Sequence, residues 1–226
     1  TASPTYVAPS YLLSPTYNDG AAQIGDRAIV MSWYQSVMDR LISLTNAIAS
    51  AFDSDDAFAG IVTGETAVGS GSVNFGYTGA GYNAQLKRHF LADKSVFLRT
   101  PRLFYANFQT VGGDTLLQDV MQNAASQEVG FGGPDIRGEP NITAGQEIAI
   151  GRIGGTDYRG TLPLGYAAQN RTRTDYTVTS PEWIPFAQNT LKLNFHFIFD
   201  GNGASTWAQV NAYVAANPVT NNTLPT

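Results

Sequence analysis

The sequence predicts a mainly β protein: an antiparallel barrel or sandwich with one long N-terminal helix and two short helices. Three observations predict it. From Gly60 onward, short β-prone runs are divided by Gly, Pro, Asn and Asp. The run Thr190 to Phe199 alternates, with Leu191, Leu193, Phe195, Phe197 and Phe199 on one face and Thr190, Lys192, Asn194 and His196 on the other, the period of a half-buried strand. The excursion from Gly130 to Pro140 exceeds hairpin length and favours Greek-key crossings over a simple meander.

Residues 1–26 form an extended arm. They carry Pro4, Pro9 and Pro15, Tyr6, Tyr11 and Tyr17, and the tetrapeptide Ser-Pro-Thr-Tyr twice, at 3–6 and 14–17. Proline fixes φ and pushes its predecessor toward extended geometry, so the segment should not be helical. Tyrosines along it offer apolar area with a polar tip, which suits a strap lying on another surface.

A helix is predicted over 27–52, with Asp26 as its N-cap. Val30, Tyr34, Val37, Leu41, Leu44, Ile48 and Phe52 recur at helical steps, and Met31, Met38, Ile42 and Ala49 widen the stripe. A helix apolar around so much of its girth needs cover on several sides, from its own domain or from a neighbouring subunit. Beyond it, strands are predicted at Ala67 to Tyr77, Val96 to Arg99, Leu103 to Val111, Glu147 to Ile153, Thr174 to Thr179 and Thr190 to Phe199. The short helices are placed at Asp114 to Ala124 and Thr206 to Ala216. The organisation is thus an arm over 1–26, one β-rich domain over 27–216, and a polar tail over 217–226.

Composition narrows the function. Lys plus Arg is 13 against 18 Asp plus Glu, a net charge of −5, and charged residues are only 14% of the chain, against roughly 25% in an average soluble domain. No basic cluster exists to neutralise phosphates, which argues against nucleic-acid binding. With no cysteine, disulfides, thiolate metal sites and cysteine nucleophiles are excluded. The opening Thr1-Ala2-Ser3-Pro4 has no basic segment before an apolar run, so no signal peptide is expected. The longest charge-free apolar piece, Leu41 to Phe52, is well short of the ~20 residues a bilayer span needs.

Motifs that could carry chemistry fare poorly. Gly79-Ala80-Gly81-Tyr82-Asn83-Ala84 matches G-x-G-x-x-A, but basic residues (Arg99, Arg102) stand where an acidic ribose ligand belongs; the stretch reads as a turn. Asp53-Ser54-Asp55-Asp56 lacks EF-hand spacing and reads as an acidic helix end, with a weak cation site left open. His89, in Lys87-Arg88-His89, is expected to be solvated. His196 sits on the polar face of the last strand, and two such histidines make no zinc set. Glu147 and Glu182, the latter beside Trp183, are the best acid pair for a glycosidase. Tyr77, Tyr82, Tyr158 and Tyr166 fall in Gly-rich turns where they could form a binding rim.

With the arm Thr1 to Asp26, the strands Leu103 to Val111 and Thr190 to Phe199, and the helix Asp114 to Ala124, the chain resembles the β-barrel (jelly-roll) coat proteins of icosahedral viruses. Asp outnumbering Glu, 13 to 5, and Arg outnumbering Lys, 10 to 3, point to a bacterial or archaeal virus. The resemblance implies a jelly-roll-like antiparallel fold and a capsid subunit, located in the virion, that self-assembles and is not an enzyme. It implies no cofactor and no metal. Its partners would be copies of itself, with other capsid proteins or an inner membrane layer as further candidates. The arm has no basic residue, so it should clamp neighbours instead of binding a genome. The interface is expected on arm and helix, at Pro4, Tyr6, Tyr11, Leu12, Leu13, Tyr17, Trp33 and Tyr34. The competing readings are a carbohydrate- or receptor-binding sandwich module presenting Trp183 or Tyr166, and a hydrolase using Glu147 and Glu182.

Overall fold

Helices and a parallel sheet, not an antiparallel barrel, organise the chain. The computed structural model describes residues 8–17, 20–24, 27–64, 66–68, 74–107, 113–133, 147, 151–168, 183–198, 211–212 and 215–216. About 49% is helix and 19% strand. The jelly-roll expectation is therefore overturned, and the finding that overturns it is strand direction. β3 (Ile61–Thr63), β4 (Arg102–Tyr105), β5 (Gly130–Gly133), β8 (Leu164–Ala168) and β9 (Phe195–Ile198) lie side by side in that order, every neighbouring pair parallel. Parallel neighbours need crossovers. α2 (Gly79–Val96), α3 (Gly113–Ser126) and α4 (Trp183–Asn189) fall in those crossovers, while α1 (Gln35–Phe52) precedes the sheet. Two small antiparallel pairs complete the strands: β1 (Ala21–Ile24) with β2 (Arg27–Val30), and β6 (Arg152–Ile153) with β7 (Thr156–Asp157).

Strands that follow one another in space as they do in sequence, joined by right-handed crossovers, place their helices on one face. The register bears this out. Phe104, Phe131 and Leu164 are paired neighbours and so share a face, with Tyr166 two residues on. All four belong to the main apolar core, together with Phe90 of α2, Val120 and Met121 of α3, and Ala187 of α4. The rings of Phe90 and Phe104 meet edge to face at 4.7 Å. On the opposite face stand Val62, Leu103, Gly130, Gly132, Gly165, Ala167 and Phe195.

That second face is concave. The ring of Phe195, on the last strand, lies 3.4 Å from where a Cβ on Gly60 would stand, just before the first. In a flat five-stranded sheet the outer strands would be about 19 Å apart, from four spacings of ~4.8 Å. Glycine makes the curl possible: a Cβ on Gly132 would overlap the carbonyl oxygen of Gly165, and one on Gly130 that of Pro163. β5 and β8 therefore approach through backbone alone.

α1 begins later than expected. Residues 27–30 are strand, not helix, and the N-cap is Tyr34, in extended conformation, instead of Asp26. Tyr34 Oη donates to the carbonyl of Phe75 at 2.6 Å, and Trp33 Nε1 donates to the same oxygen at 3.0 Å, which fixes where the helix starts. Its packed stripe is Met38, Ile42, Thr45 and Ala49, laid against α2. Leu44 and Phe52, from the stripe the sequence made most prominent, remain 52% and 46% exposed.

α2 is the longest element the sequence did not predict. Thr78 caps it, its hydroxyl accepting from the Gly81 N–H at 3.1 Å, so G-x-G-x-x-A does open a helix. Fifteen residues separate it from the end of β3, however, and the tight strand-to-helix turn that the dinucleotide motif requires is not there. Ala67 to Tyr77 and Val96 to Arg99 show no strand among their described residues. Among the described residues, the predicted strands at Leu103 to Val111, Glu147 to Ile153 and Thr190 to Phe199 are extended at β4, β6 and β9, while α3 spans the predicted Asp114 to Ala124. Thr174 to Thr179 lies outside the described residues. So does Thr206 to Ala216 apart from four residues, all helical.

Candidate functional site: a groove between the arm and α1

The arm folds onto its own chain from residue 8 to residue 17. Pro9, extended, starts a 3-10 turn over Ser10–Leu13, with the Leu12 N–H donating to Pro9 O at 3.0 Å; a second turn covers Pro15–Tyr17. These turns point Leu12 inward, where with Ala8 and Ala21 it makes a cluster separate from the main core, and Tyr17 packs against it. Tyr11 and Tyr17 meet edge to face at 5.5 Å. Arg40 of α1 reaches back, its Nε donating to Tyr11 Oη at 3.3 Å with the guanidinium 5.6 Å from the ring centre. That hydrogen bond, with the Tyr11 charge, raises the Arg40 pKa further above its ordinary value.

Between arm and helix lies an open groove of about 310 Å³. Pro9, Tyr11 and Leu12 form one wall, Val37, Leu41 and Leu44 of α1 the other, and Val30 and Ser32 the floor. Among the described residues Arg40 is its one charged lining residue. The described lining carries the Tyr11 and Ser32 hydroxyls but no carboxylate or imidazole beside them, and its mostly apolar walls suit the binding of apolar groups.

Of the residues expected at an interface, Tyr11 and Leu12 line this groove, Leu13 is 39% exposed beside it, and Tyr17 is half-buried beneath it. Trp33 is 6% exposed and belongs to the main core, with half-buried Tyr34 packed on it. Pro4 and Tyr6 lie outside the described residues. Sequence reasoning missed Val37, Leu41 and Leu44 as site residues. Their signal was present: they belong to a stripe too wide for one neighbouring helix to cover.

The other candidates lose their chemistry to structural duties. The Asp53 carboxylate accepts backbone N–H groups from Leu98 (3.0 Å), Arg99 (3.2 Å) and Thr100 (2.9 Å). Desolvation raises its pKa, but these donors outweigh it and the net shift is downward. Asp56 pairs with Arg99 at 2.8 Å. Among the described residues no group of three or more His, Asp or Glu is arranged to hold a metal. Glu147 accepts the Gly155 N–H at 3.2 Å, while Glu182 and the side chains of Trp183 and His196 lie outside the described residues. Tyr166 is fully buried, Tyr77 and Tyr82 nearly so, so the proposed rim and the Tyr166 sugar platform do not exist. Nor is any helix among the described residues long and apolar enough to cross a membrane.

His89, expected in solvent, is 2% exposed. Its Nε2 stands 3.1 Å from Thr45 Oγ1 and 3.3 Å from Asp93 Oδ1. The Thr45 hydroxyl donates to Leu41 O, so its lone pair accepts and His89 carries its proton on Nε2. Burial lowers the imidazole pKa to about 4. Burial raises the Asp93 carboxyl to about 7, with Arg102 drawing it partly back. The separation would allow an ion pair, but burial favours both neutral forms, so the two groups stand side by side uncharged, with His89 Nδ1 and Asp93 Oδ1 left without a hydrogen-bond partner among the described residues. The Thr45–His89 contact ties α1 to α2.

The chain matches no family model, no curated protein and no solved structure.

Proposed function

We propose that the chain is a structural subunit that assembles with copies of itself, as the coat subunit of a virus particle, through the face made by arm, β2 and α1. One observation carries this reading: α1 is apolar on two sides, and the fold covers one. α2 packs on the Met38–Ala49 side, whereas Leu44 is left at 52% exposure, with Val30 at 41% and Tyr11 at 44% beside it. Contiguous apolar surface of this kind marks an association site. The groove's mostly apolar lining suits a binding role, and the low share of charged residues, 14% of the chain, suits close packing of like subunits. The assembly uses an arm and a helix, since there is no barrel to supply the contacts. Location in a virion and association with other coat proteins or an inner lipid layer belong to the same proposal.

Light scattering on size-fractionated protein, with electron microscopy of the same fractions, tests it. Oligomers that grow with concentration, and shells or sheets in the images, are the expected result. A chain that remains one copy per particle over the whole micromolar range would overturn the reading.

A further inference from the structure

We infer that copies join head to tail, the leucine at the far end of α1 in one copy entering the arm–α1 groove of the next. This deepens the self-association proposed above and rests on it.

Leu98 is 79% exposed, the most of any large apolar side chain among the described residues. It is presented on a fixed backbone. The Asp53 carboxylate holds the N–H groups of Leu98, Arg99 and Thr100, and the rings of Phe52, Phe58 and Phe97 stack in sequence behind the loop at 5.6 and 6.4 Å. Phe52 adds its own exposed surface, 46%. A knob whose backbone is already ordered loses little entropy when it docks. A leucine so far out in water gains from a burial that its own subunit does not provide.

The groove fits the knob in shape and in charge. Its apolar walls enclose about 310 Å³, at the small end of the ~300–1,000 Å³ of small-molecule sites and ample for a leucine side chain. Among the described residues its one charged lining residue is Arg40. The knob is flanked by Asp53, Asp55 and Asp56 against Arg99 and the half-buried Arg102, which leaves it net acidic, with the Asp56 side chain 90% exposed. A cationic groove thus faces an acidic knob, and that complementarity favours a second copy over a partner of unrelated charge. No copy can fill its own groove: Leu41 and Phe52 stand eleven residues apart on one rigid helix, about 16 Å. Because knob and groove are different surfaces, the contact is heterologous and propagates into rings or lattices, not closed two-fold dimers.

Two full-length variants test this, Leu98→Asp and Leu44→Asp, both at exposed positions where folding is undisturbed and circular dichroism verifies it. Each alone should associate at least tenfold more weakly than the unaltered chain. Mixed in equal amounts, they should form a two-copy species and nothing larger, because each such pair has one intact knob facing one intact groove. If the unaltered chain assembles and Leu98→Asp assembles equally well, the knob is not used and self-association runs through another face. A mixture of folded variants that stays monomeric overturns the knob-in-groove pairing in the same way. An unaltered chain that never associates removes the proposed function itself, and this inference with it.

Discussion

Phe90, Phe104, Phe131 and Tyr166 in the sheet body have no exposed surface, whereas Tyr11, Leu13, Val30 and Leu44 on the arm–α1 face keep 39–52% of theirs. Both regions are built from aromatic and aliphatic side chains, so composition does not separate them. Neighbours do. The body has helices on one face of a curled sheet, and its strands approach through glycine. The arm region has a three-residue cluster of Ala8, Leu12 and Ala21 and an open groove. Stability resides in the body, and a contiguous group of exposed apolar side chains in the arm face. The two should therefore respond to substitution in opposite ways, one through folding and the other through association.

The largest effect is expected at Gly132. A Cβ there has no space against the Gly165 carbonyl, so Gly132→Ala should cost more than about 4 kcal/mol and abolish a cooperative melt followed by circular dichroism. Gly155→Ala is the control. Gly155 has φ of +81° with open space around it, and the change should cost only the ~1–2 kcal/mol of left-handed strain. Equal losses at the two glycines would mean that β5 and β8 do not pack as described.

Next comes the buried His89–Asp93 pair, a polar element inside the body. The folded carboxyl pKa of Asp93 is raised from 3.8 to about 7. The folded chain therefore holds a proton that the unfolded chain has released, and this contribution to stability falls as pH rises from about 4 to 7. The folded imidazole pKa of His89 is lowered from 6.5 to about 4. There the unfolded chain holds the extra proton, and stability rises with pH from about 4 to 6.5. The two nearly cancel: folding moves a proton from histidine to aspartate. Urea unfolding of the unaltered chain should be almost flat across that window. His89→Gln should lose stability with rising pH and Asp93→Asn should gain it, each by a few kcal/mol at ~1.4 kcal/mol per unit of pKa shift. Parallel slopes in the two variants would refute the neutral pair.

Smaller effects belong to the arm. Leu12→Ala should cost about 2 kcal/mol, the low end for a buried leucine, and only locally. Hydrogen exchange should speed up around residues 10–17 while the body keeps its protection. Smallest is Leu44→Ser, expected to change monomer stability by no more than about 0.5 kcal/mol while weakening association. A large loss of monomer stability there would show that Leu44 belongs to the body.

The sequence made some elements legible and hid others for physical reasons. α3 was visible because Leu117, Val120, Met121 and Ala124, all buried, recur at helical spacing with no polar interruption. α2 was hidden although Tyr82, Leu86, Phe90 and Asp93 recur just as regularly. Its buried face includes Asn83, His89 and Asp93, and a periodicity search counts those as surface. Asn83 is satisfied by the Leu116 carbonyl at 2.6 Å and His89 by Thr45, partners that exist only after α3 and α1 arrive. The alternation in 190–199 did mark a strand, but period two is the same for parallel and antiparallel partners. Glycines read as turns proved to be strand residues at 130, 132 and 165, and at 130 and 132 the adjacent backbone leaves no space for a side chain.

Local order and surface character were therefore written into the residues by themselves: the helical repeat of α1 and α3, a proline-broken arm, a weakly charged surface with no cysteine, and an apolar stripe wider than one neighbour can cover. These depend on short-range spacing and on side-chain chemistry. Strand direction, the concave sheet, the burial of His89 and the side of α1 left open were decided only by tertiary structure, because each depends on which distant segment arrives beside a residue.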